Sequence, residues 1–410
     1  MMLKCGLLGK KLGHSYSPAI HARLGDYEYR LYEMQEEELE YFLKNGDWNG
    51  LNVTIPYKKT VVKYCDELSD VALETGSVNT LVRRDDGTIR GDNTDVYGFY
   101  DTAVKSKVVF EGKKVLVLGS GGASSAVCAA LKRLKADLTV ISRRGDNNYG
   151  NITKHADAEI IVNTTPVGMY PDNLNSPLDI SVFPKLSAVF DVVYNPALTG
   201  ILLQAEKRGL YFCNGLHMLV SQARRSSEIF TGIKLDDEIT DKITNELSIS
   251  MKNLVLIGMP GNGKTTIANE LARMTKRPVF DSDEKIISDN ERSSPDIFAA
   301  DGEEVFRELE TKALKELAKA SGSIISTGGG CVTRDENFDI LHQNGIIILI
   351  IRDIEELARE GRPLSAGDLY EMVRIRKPLY RRFADIIVYN DRKPEEAAIK
   401  ILEELGERSK

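Results

Sequence analysis

The run GMPGNGKT, Gly258 to Thr265, follows the apolar stretch NLVLI and opens onto the helical pattern TTIANELA. It satisfies GxxxxGK[ST] in the strand-to-helix context that gives this motif its meaning. Glycines let backbone N–H groups wrap a phosphate chain, a lysine reaches the outer phosphates, and a hydroxyl ligates Mg2+. This commits that part of the chain to a parallel α/β sheet with ATP or GTP at the end of a strand. The nucleotide contacts expected are Gly258, Gly261, Asn262, Gly263, Lys264, Thr265 and Thr266, with Thr265 as a metal ligand. The loop does not name the acceptor.

The same stretch begins SMKNLV, as a free N-terminus would, yet it lies past the middle of a 410-residue chain. A chain of this length exceeds what one hydrophobic core serves, so two or three domains are expected. Two more strand-loop-helix starts stand upstream, KCGLLG near the N-terminus and KKVLVLGSGGASSAVCAALKRL from Lys113. Short apolar runs alternate with helical patterns throughout, the mark of α/β units. The charged segment from Lys234 to Ser250 places the junction. In GEEVFRELETKALKELAKA, the residues Val305, Phe306, Leu309, Ala313 and Leu317 form a core-facing stripe.

Composition narrows the function classes. With 42% hydrophobic and 28% charged residues and a net charge of -7, the chain has no basic surplus for nucleic acid or an anionic membrane. Its five cysteines never form a CxxC pair, and its five histidines show no metal-ligand spacing. No apolar stretch reaches the roughly 18 residues of a membrane span. A cytoplasmic enzyme is expected.

VLVLGSGGASSA sets Gly119, Gly121, Gly122 and Ala123 between a strand and a helix, where N–H groups meet a pyrophosphate. Ser124 takes the third glycine place of GxGxxG. The next strand ends in Ser142, Arg143 and Arg144, where a site preferring NAD would carry an acid. Guanidinium groups suit a 2′-phosphate, so NADP(H) is favoured over NAD.

GHSYSP, GLNVTIPYK, TGSVNTL and GDNTDVYGF each place hydroxyls, amides or charges beside a strand end. With them, most of residues 1 to 245 resembles shikimate dehydrogenase. The resemblance implies that Ser15 and Ser17 bind a substrate carboxylate, that Asn52, Thr54 and Asn79 bind the ring or its hydroxyls, and that Lys58 and Asp95 form the catalytic pair. By DVVYNPALTGIL, NGLHMLVSQA and NTTPVGM it also implies Tyr194, Gln222, Gly215 and Thr164 at the substrate and nicotinamide. Ser77, Val96, Tyr97 and Ser142 depart from the usual family residues. Quinate is the alternative substrate.

Behind the phosphate loop, VFDSD, FRELE, STGGG, GRPL and RIRKPLY form an ordered set, and residues 252 to 405 resemble shikimate kinase. The resemblance implies Asp283 at the acceptor hydroxyls and as base, and Asp281 on Mg2+. It implies Arg307, Gly329, Gly330 and Arg376 at the carboxylate, Arg359 at the nucleotide, and Arg362 at the transferring phosphoryl group. Arg359 stands only three residues before Arg362, so a short lid with weakened closure is expected.

Together the resemblances imply an α/β protein in which a two-domain dehydrogenase precedes a P-loop kinase domain with a parallel sheet. The expected divisions are a substrate-binding domain at 1–100 with returning helices at 216–245, a Rossmann-like NADP domain at 101–215, a junction at 246–251, and a kinase domain at 252–410. The implied activity is NADPH-dependent reduction of 3-dehydroshikimate, then phosphorylation of shikimate by ATP with Mg2+.

Overall fold

A computed structural model describes residues 2–13, 15–353 and 366–406. Among the described residues the strands form three sheets. The first contains β1 (Lys4–Gly9), β2 (Glu28–Glu33), β3 (Gly50–Val53), β4 (Glu67–Leu68), β5 (Thr80–Arg83) and β6 (Ile89–Asp92), in the order β2-β1-β3-β5-β6-β4. It is mixed, because β5 runs antiparallel to both β3 and β6. The second contains β7 (Lys114–Leu118), β8 (Asp137–Ile141), β9 (Ile160–Asn163), β10 (Ala188–Asp191) and β11 (Tyr211–Cys213), all parallel, in the order β11-β10-β9-β7-β8. The third contains β12 (Asn253–Ile257), β13 (Val279–Asp281), β14 (Ile324–Ser326), β15 (Gly345–Ile351) and β16 (Ile386–Tyr389), also parallel, in the order β13-β14-β12-β15-β16.

The parallel sheets explain the unbroken apolar runs. A strand covered on both faces needs apolar side chains at every position rather than alternate ones. NLVLI and IIVN are accordingly buried throughout. Helix Gly122–Arg133 packs Ala126, Val127, Ala129, Ala130 and Leu131 onto the second sheet. Helix Lys264–Thr275 packs Ile267, Ala268 and Leu271 onto the third.

Chain order also places the sites. In each sheet the first strand, β1, β7 or β12, acquires later strands on both sides. The crevice outside its carboxyl end is where an α/β sheet binds ligands. Those ends lead into the segments carrying Ser15 and Ser17, Gly119, and Gly258.

The chain divides into two compact units. One comprises the span to Val167, Ser176–Tyr194 and Gly200–Leu247, and holds the first two sheets; the other comprises Gly168–Asn175, Asn195–Thr199 and the span from Ser248, and holds the third. The boundary Leu247/Ser248 falls inside helix Glu238–Met251, so the segment 246–251 is helical. Met251 is buried, and its carbonyl accepts from the Gly322 N–H at 2.8 Å.

The expected stripe on the long helix holds except at its start. Helix Ser294–Leu317 buries Phe306, Ala313 and Leu317, while Val305 is 38% exposed. The helix breaks at Gly302, where φ is +86°, and Val305 stands one position before Phe306, at the edge of the stripe. Among the described residues, no helix is long and apolar enough to cross a membrane.

Candidate active sites

In the first unit, Lys58 follows β3 on a segment pinned by the Val78 N–H to the Lys58 carbonyl at 2.8 Å. Asp95 stands in the first turn of helix Thr94–Lys105, whose cap residue Asn93 accepts from the Asp95 N–H. Lys58 Nζ donates to Asp95 Oδ2 at 2.5 Å, and Asn79 Nδ2 donates to Asp95 Oδ1 at 2.8 Å. Both carboxylate oxygens of Asp95 are therefore engaged, one by Lys58 and one by Asn79. Asn79 cannot flip, since its Oδ1 accepts from the Thr94 N–H at 2.7 Å.

Ser15 and Ser17 lie together at the start of helix Ser17–His21, with the Ser17 N–H donating to Ser15 Oγ at 3.2 Å. Tyr194 meets Tyr16 edge to face at 6.2 Å, and burial pushes its phenol above the usual value. Thr54 is half-buried, with its methyl against Gly9. Gln222 donates to the Leu219 carbonyl at 2.8 Å and faces Thr94 Oγ1 through its own carbonyl at 3.4 Å. Gly215 has no room for a side chain, since a Cβ there would lie 2.0 Å from the Val192 carbonyl oxygen. Ser77, a departure from the family pattern, accepts from Asn93 Nδ2 at 2.9 Å and so braces the cap of Asp95's helix.

The first strand of the second sheet, β7, leads into a glycine turn. Gly119 has φ +108°, and a Cβ on it would meet Thr164 Oγ1 at 2.9 Å. Thr164 itself donates to the Leu118 carbonyl at 2.6 Å. Helix Gly122–Arg133 has no side-chain cap at Gly121, and a Cβ on Gly121 would meet nothing within 4 Å. First-turn N–H groups and open space are what a pyrophosphate requires, so these residues fit a dinucleotide. Ser124, in the third glycine place, is buried and donates to the Gly119 carbonyl at 2.8 Å, which gives this departure a structural use. A Cβ on Gly122 would come within 3.8 Å of Lys58, so this glycine turn and Lys58 adjoin. Ala123 continues this turn. Ser142 turns the next loop through its N–H to the Asn147 carbonyl, and Arg143 and Arg144 are exposed, with no ion pair among the described residues.

In the second unit, Gly263 caps helix Lys264–Thr275 in the left-handed region at φ +84°, and a Cβ there would strike Asn390 Nδ2 at 2.6 Å. The loop from Gly258 through Gly261 and Asn262 brings Lys264 Nζ back onto the carbonyls of Gly258 and Met259 at 2.9 and 3.1 Å. Thr265 Oγ1 lies 3.3 Å from Asp281 Oδ2, next to exposed Thr266. A hydroxyl beside a carboxylate is a hard oxygen set that fits Mg2+ shared with phosphates and water.

Three glycines pack against the side chains around Asp283 and Arg307. A Cβ on Gly328 would lie 2.5 Å from Glu310 Oε1 and 2.7 Å from Asp283 Oδ1; one on Gly329 would meet Pro260 at 2.6 Å; one on Gly330 would lie 1.7 Å from Arg307 Nη1. Arg307 is held by Glu310 at 2.8 Å and Glu303 at 3.1 Å. Burial holds the Glu310 carboxyl above its usual range, against the pull of Arg307. Arg376 and Tyr380 both donate to the Gly329 carbonyl, at 3.0 and 2.5 Å. The structure thus brings Asp281, Asp283, Arg307, Gly329, Gly330 and Arg376 together; Arg359 and Arg362 lie outside the described residues. Glu310 and Tyr380 were not singled out by sequence, although the R-x-x-E spacing on a helix was a usable signal for Glu310.

Comparison with known proteins agrees with both halves. Residues 260–406 match the family model described as shikimate kinase, and residues 7–81 match that of the shikimate dehydrogenase substrate binding domain. The shikimate dehydrogenase (NADP(+)) of Caldanaerobacter subterraneus subsp. tengcongensis is 36% identical over 273 residues, which is 59% of this chain and 96% of that one. Among solved structures, a chorismate mutase/shikimate 5-dehydrogenase fusion protein from Clostridium acetobutylicum is 38% identical with a TM-score of 0.57, covering 60% of this chain and 97% of its own. Shikimate 5-dehydrogenase from Thermus thermophilus, solved with NADP(H) and shikimate, is 30% identical with a TM-score of 0.55, covering 60% and 99%.

Proposed function

We propose, from the premise that this chain belongs to the shikimate dehydrogenase family and carries a shikimate kinase domain behind it, that it is a bifunctional enzyme of two consecutive reactions. The first reduces 3-dehydroshikimate to shikimate, and the second phosphorylates shikimate to shikimate 3-phosphate. The observation that carries this reading is the Lys58–Asp95 pair beside the glycine cradle, together with a second, separate phosphate loop facing its own carboxylate-binding set.

NADPH supplies a hydride and ATP with Mg2+ a phosphoryl group when bound. In the first site Ser15, Ser17 and Tyr194 hold the substrate carboxylate, and Thr54, Asn79 and Gln222 the ring hydroxyls. Lys58 Nζ gives its proton to the carbonyl oxygen as that atom gains charge, while Asp95 keeps the ammonium aimed at it. Gly119, Gly121, Gly122, Ala123, Thr164 and Gly215 line the dinucleotide, with Ser142 and Arg143 at its 2′-phosphate.

In the second site Asp283 accepts the proton of the attacked hydroxyl, and Arg307, Arg376 and the Gly329 and Gly330 amides hold the carboxylate. Lys264 faces the outer phosphates, and Thr265 and Asp281 hold Mg2+. Arg359 and Arg362 belong to this proposal as nucleotide and phosphoryl contacts. The domain division that accompanies it is 1–100 with 216–245, 101–215, and 252–410 after a junction at 246–251. A cytoplasmic location supplies both cofactors.

Each activity can be tested separately. Purified chain given shikimate and NADP+ must form NADPH, and given shikimate and Mg-ATP must form ADP. Absence of either reaction removes that half of the proposal.

A further inference from the structure

The resemblance assigns Asn52 to the ligand, yet its side chain is committed to protein. Asn52 is 5% exposed, its Nδ2 donates to Ser226 Oγ at 2.7 Å, and its Oδ1 accepts from the Tyr29 hydroxyl at 2.8 Å. Its remaining donor capacity faces Thr80 Oγ1 at 3.4 Å and the Asn79 carbonyl at 3.5 Å. The Tyr29 ring stacks on buried His21 at 3.9 Å and 9°. Burial holds the Tyr29 phenol well above its usual value, so it stays a donor, and burial pushes His21 down to about 3, so the ring behind it stays uncharged.

Ser226 continues the connection. Its Oγ lies 3.0 Å from Thr80 Oγ1 and 3.0 Å from Thr94 Oγ1, and Thr80 donates to Asn79 Oδ1 at 3.0 Å. Asn79 in turn holds Asp95. On the other side Tyr29 stacks on His21, the last residue of the helix that begins at Ser17. One hydrogen-bonded chain therefore runs from Tyr29 through Asn52, Ser226, Thr80 and Asn79 to the Asp95–Lys58 pair, and the stack on His21 ties its start to the helix that carries Ser17.

We infer that Asn52 is a positioning residue rather than a ligand contact, and that Tyr29 and Ser226 are its two anchors, which together hold the carboxylate end of the dehydrogenase pocket in register with its catalytic end. The inference rests on the dehydrogenase reading above. A buried amide whose two ends are tied to different elements, β2 and helix Leu216–Thr231, has one orientation, and removing either anchor leaves a buried polar atom unpaired.

The test uses full-length Asn52→Ala, Tyr29→Phe, Ser226→Ala and the Tyr29→Phe/Ser226→Ala double variant. KM and kcat are measured with shikimate and NADP+, alongside NADPH affinity and the fluorescence of Trp48, the single tryptophan, which lies in the same unit. Each single variant is expected to raise KM for shikimate about 10-fold with kcat within about 3-fold, NADPH affinity being kept. Because all act on one brace, the double variant should be no worse than Asn52→Ala, well short of the product of its parts.

A large KM rise for Asn52→Ala with wild-type KM in Tyr29→Phe and Ser226→Ala would make Asn52 a direct contact and overturn the inference. Unchanged KM in all three would overturn it as well. Should Ser226→Ala lose the Trp48 signal of the folded unit, Tyr29→Phe decides alone. A wild-type chain that does not oxidise shikimate would refute the dehydrogenase reading instead.

Discussion

Lys58 Nζ and Asp95 Oδ2 lie 2.5 Å apart, with the lysine side chain 19% and the aspartate 10% exposed. The pair is shielded enough for its charges to matter and open enough to admit a substrate. A positioned proton donor contributes roughly 10²–10⁴-fold in rate. Lys58→Ala should therefore cut dehydrogenase turnover by that order while kinase turnover stays near wild type. Equal loss of both activities, measured on one sample, would show that the effect is not local to this pair.

Arg143 is exposed and makes no ion pair among the described residues, so its guanidinium is available to a 2′-phosphate. Arg143→Ala should weaken NADPH about 10-fold and NADH little, as expected for the loss of one charge-assisted contact. Fluorescence titration with the two nucleotides checks this. An equal effect on both would contradict the assignment.

Gly330 is confined by Arg307, whose Nη1 would sit 1.7 Å from a Cβ at that position. Gly330→Ala must displace the guanidinium from its place beside Glu310. Kinase KM for shikimate should rise about 10- to 100-fold, with dehydrogenase KM for the same acid unchanged. Unchanged kinase KM would remove Arg307 from the acceptor site.

Asp101 is held below the usual carboxylate range. Burial alone would raise it, but hydrogen bonds from His217 at 2.9 Å and Ser221 at 2.7 Å, with the charges of His217 and Lys105, outweigh burial. A carboxyl depressed by folding stabilises the fold above its unfolded value of about 3.9, and that contribution is lost as pH falls through the folded value. The stability gap between wild type and Asp101→Asn should accordingly shrink on acidification below about pH 4. Urea unfolding followed by Trp48 fluorescence measures it; a gap constant with pH would contradict the role given to Asp101.

Where function was legible in the sequence, a chemical requirement met a fixed spacing. GMPGNGKT and GSGGAS stand out because Gly119, Gly258, Gly261 and Gly263 take backbone paths that favour glycine, and the three glycines of STGGG prove to abut Glu310, Pro260 and Arg307. What stayed hidden was long-range. Ser226 stands 174 residues from Asn52, and Tyr29 sits in a strand whose pattern carries no motif. Val305 misled because it stands one position before Phe306, about 100° round the helix from the buried line of Phe306, Ala313 and Leu317, at the edge of the stripe. Ser124 looked like a weakened cofactor motif until its bond to the Gly119 carbonyl showed how the turn is held.

The central claim is that one chain performs both reactions in succession. A purified sample is given 3-dehydroshikimate and NADPH, allowed to reach equilibrium, and then given Mg-ATP, with NADPH absorbance followed throughout and the products identified. The account predicts that oxidation stalls, resumes on ATP addition, and yields shikimate 3-phosphate. Oxidation that ignores ATP, with no phosphate ester formed, would contradict it.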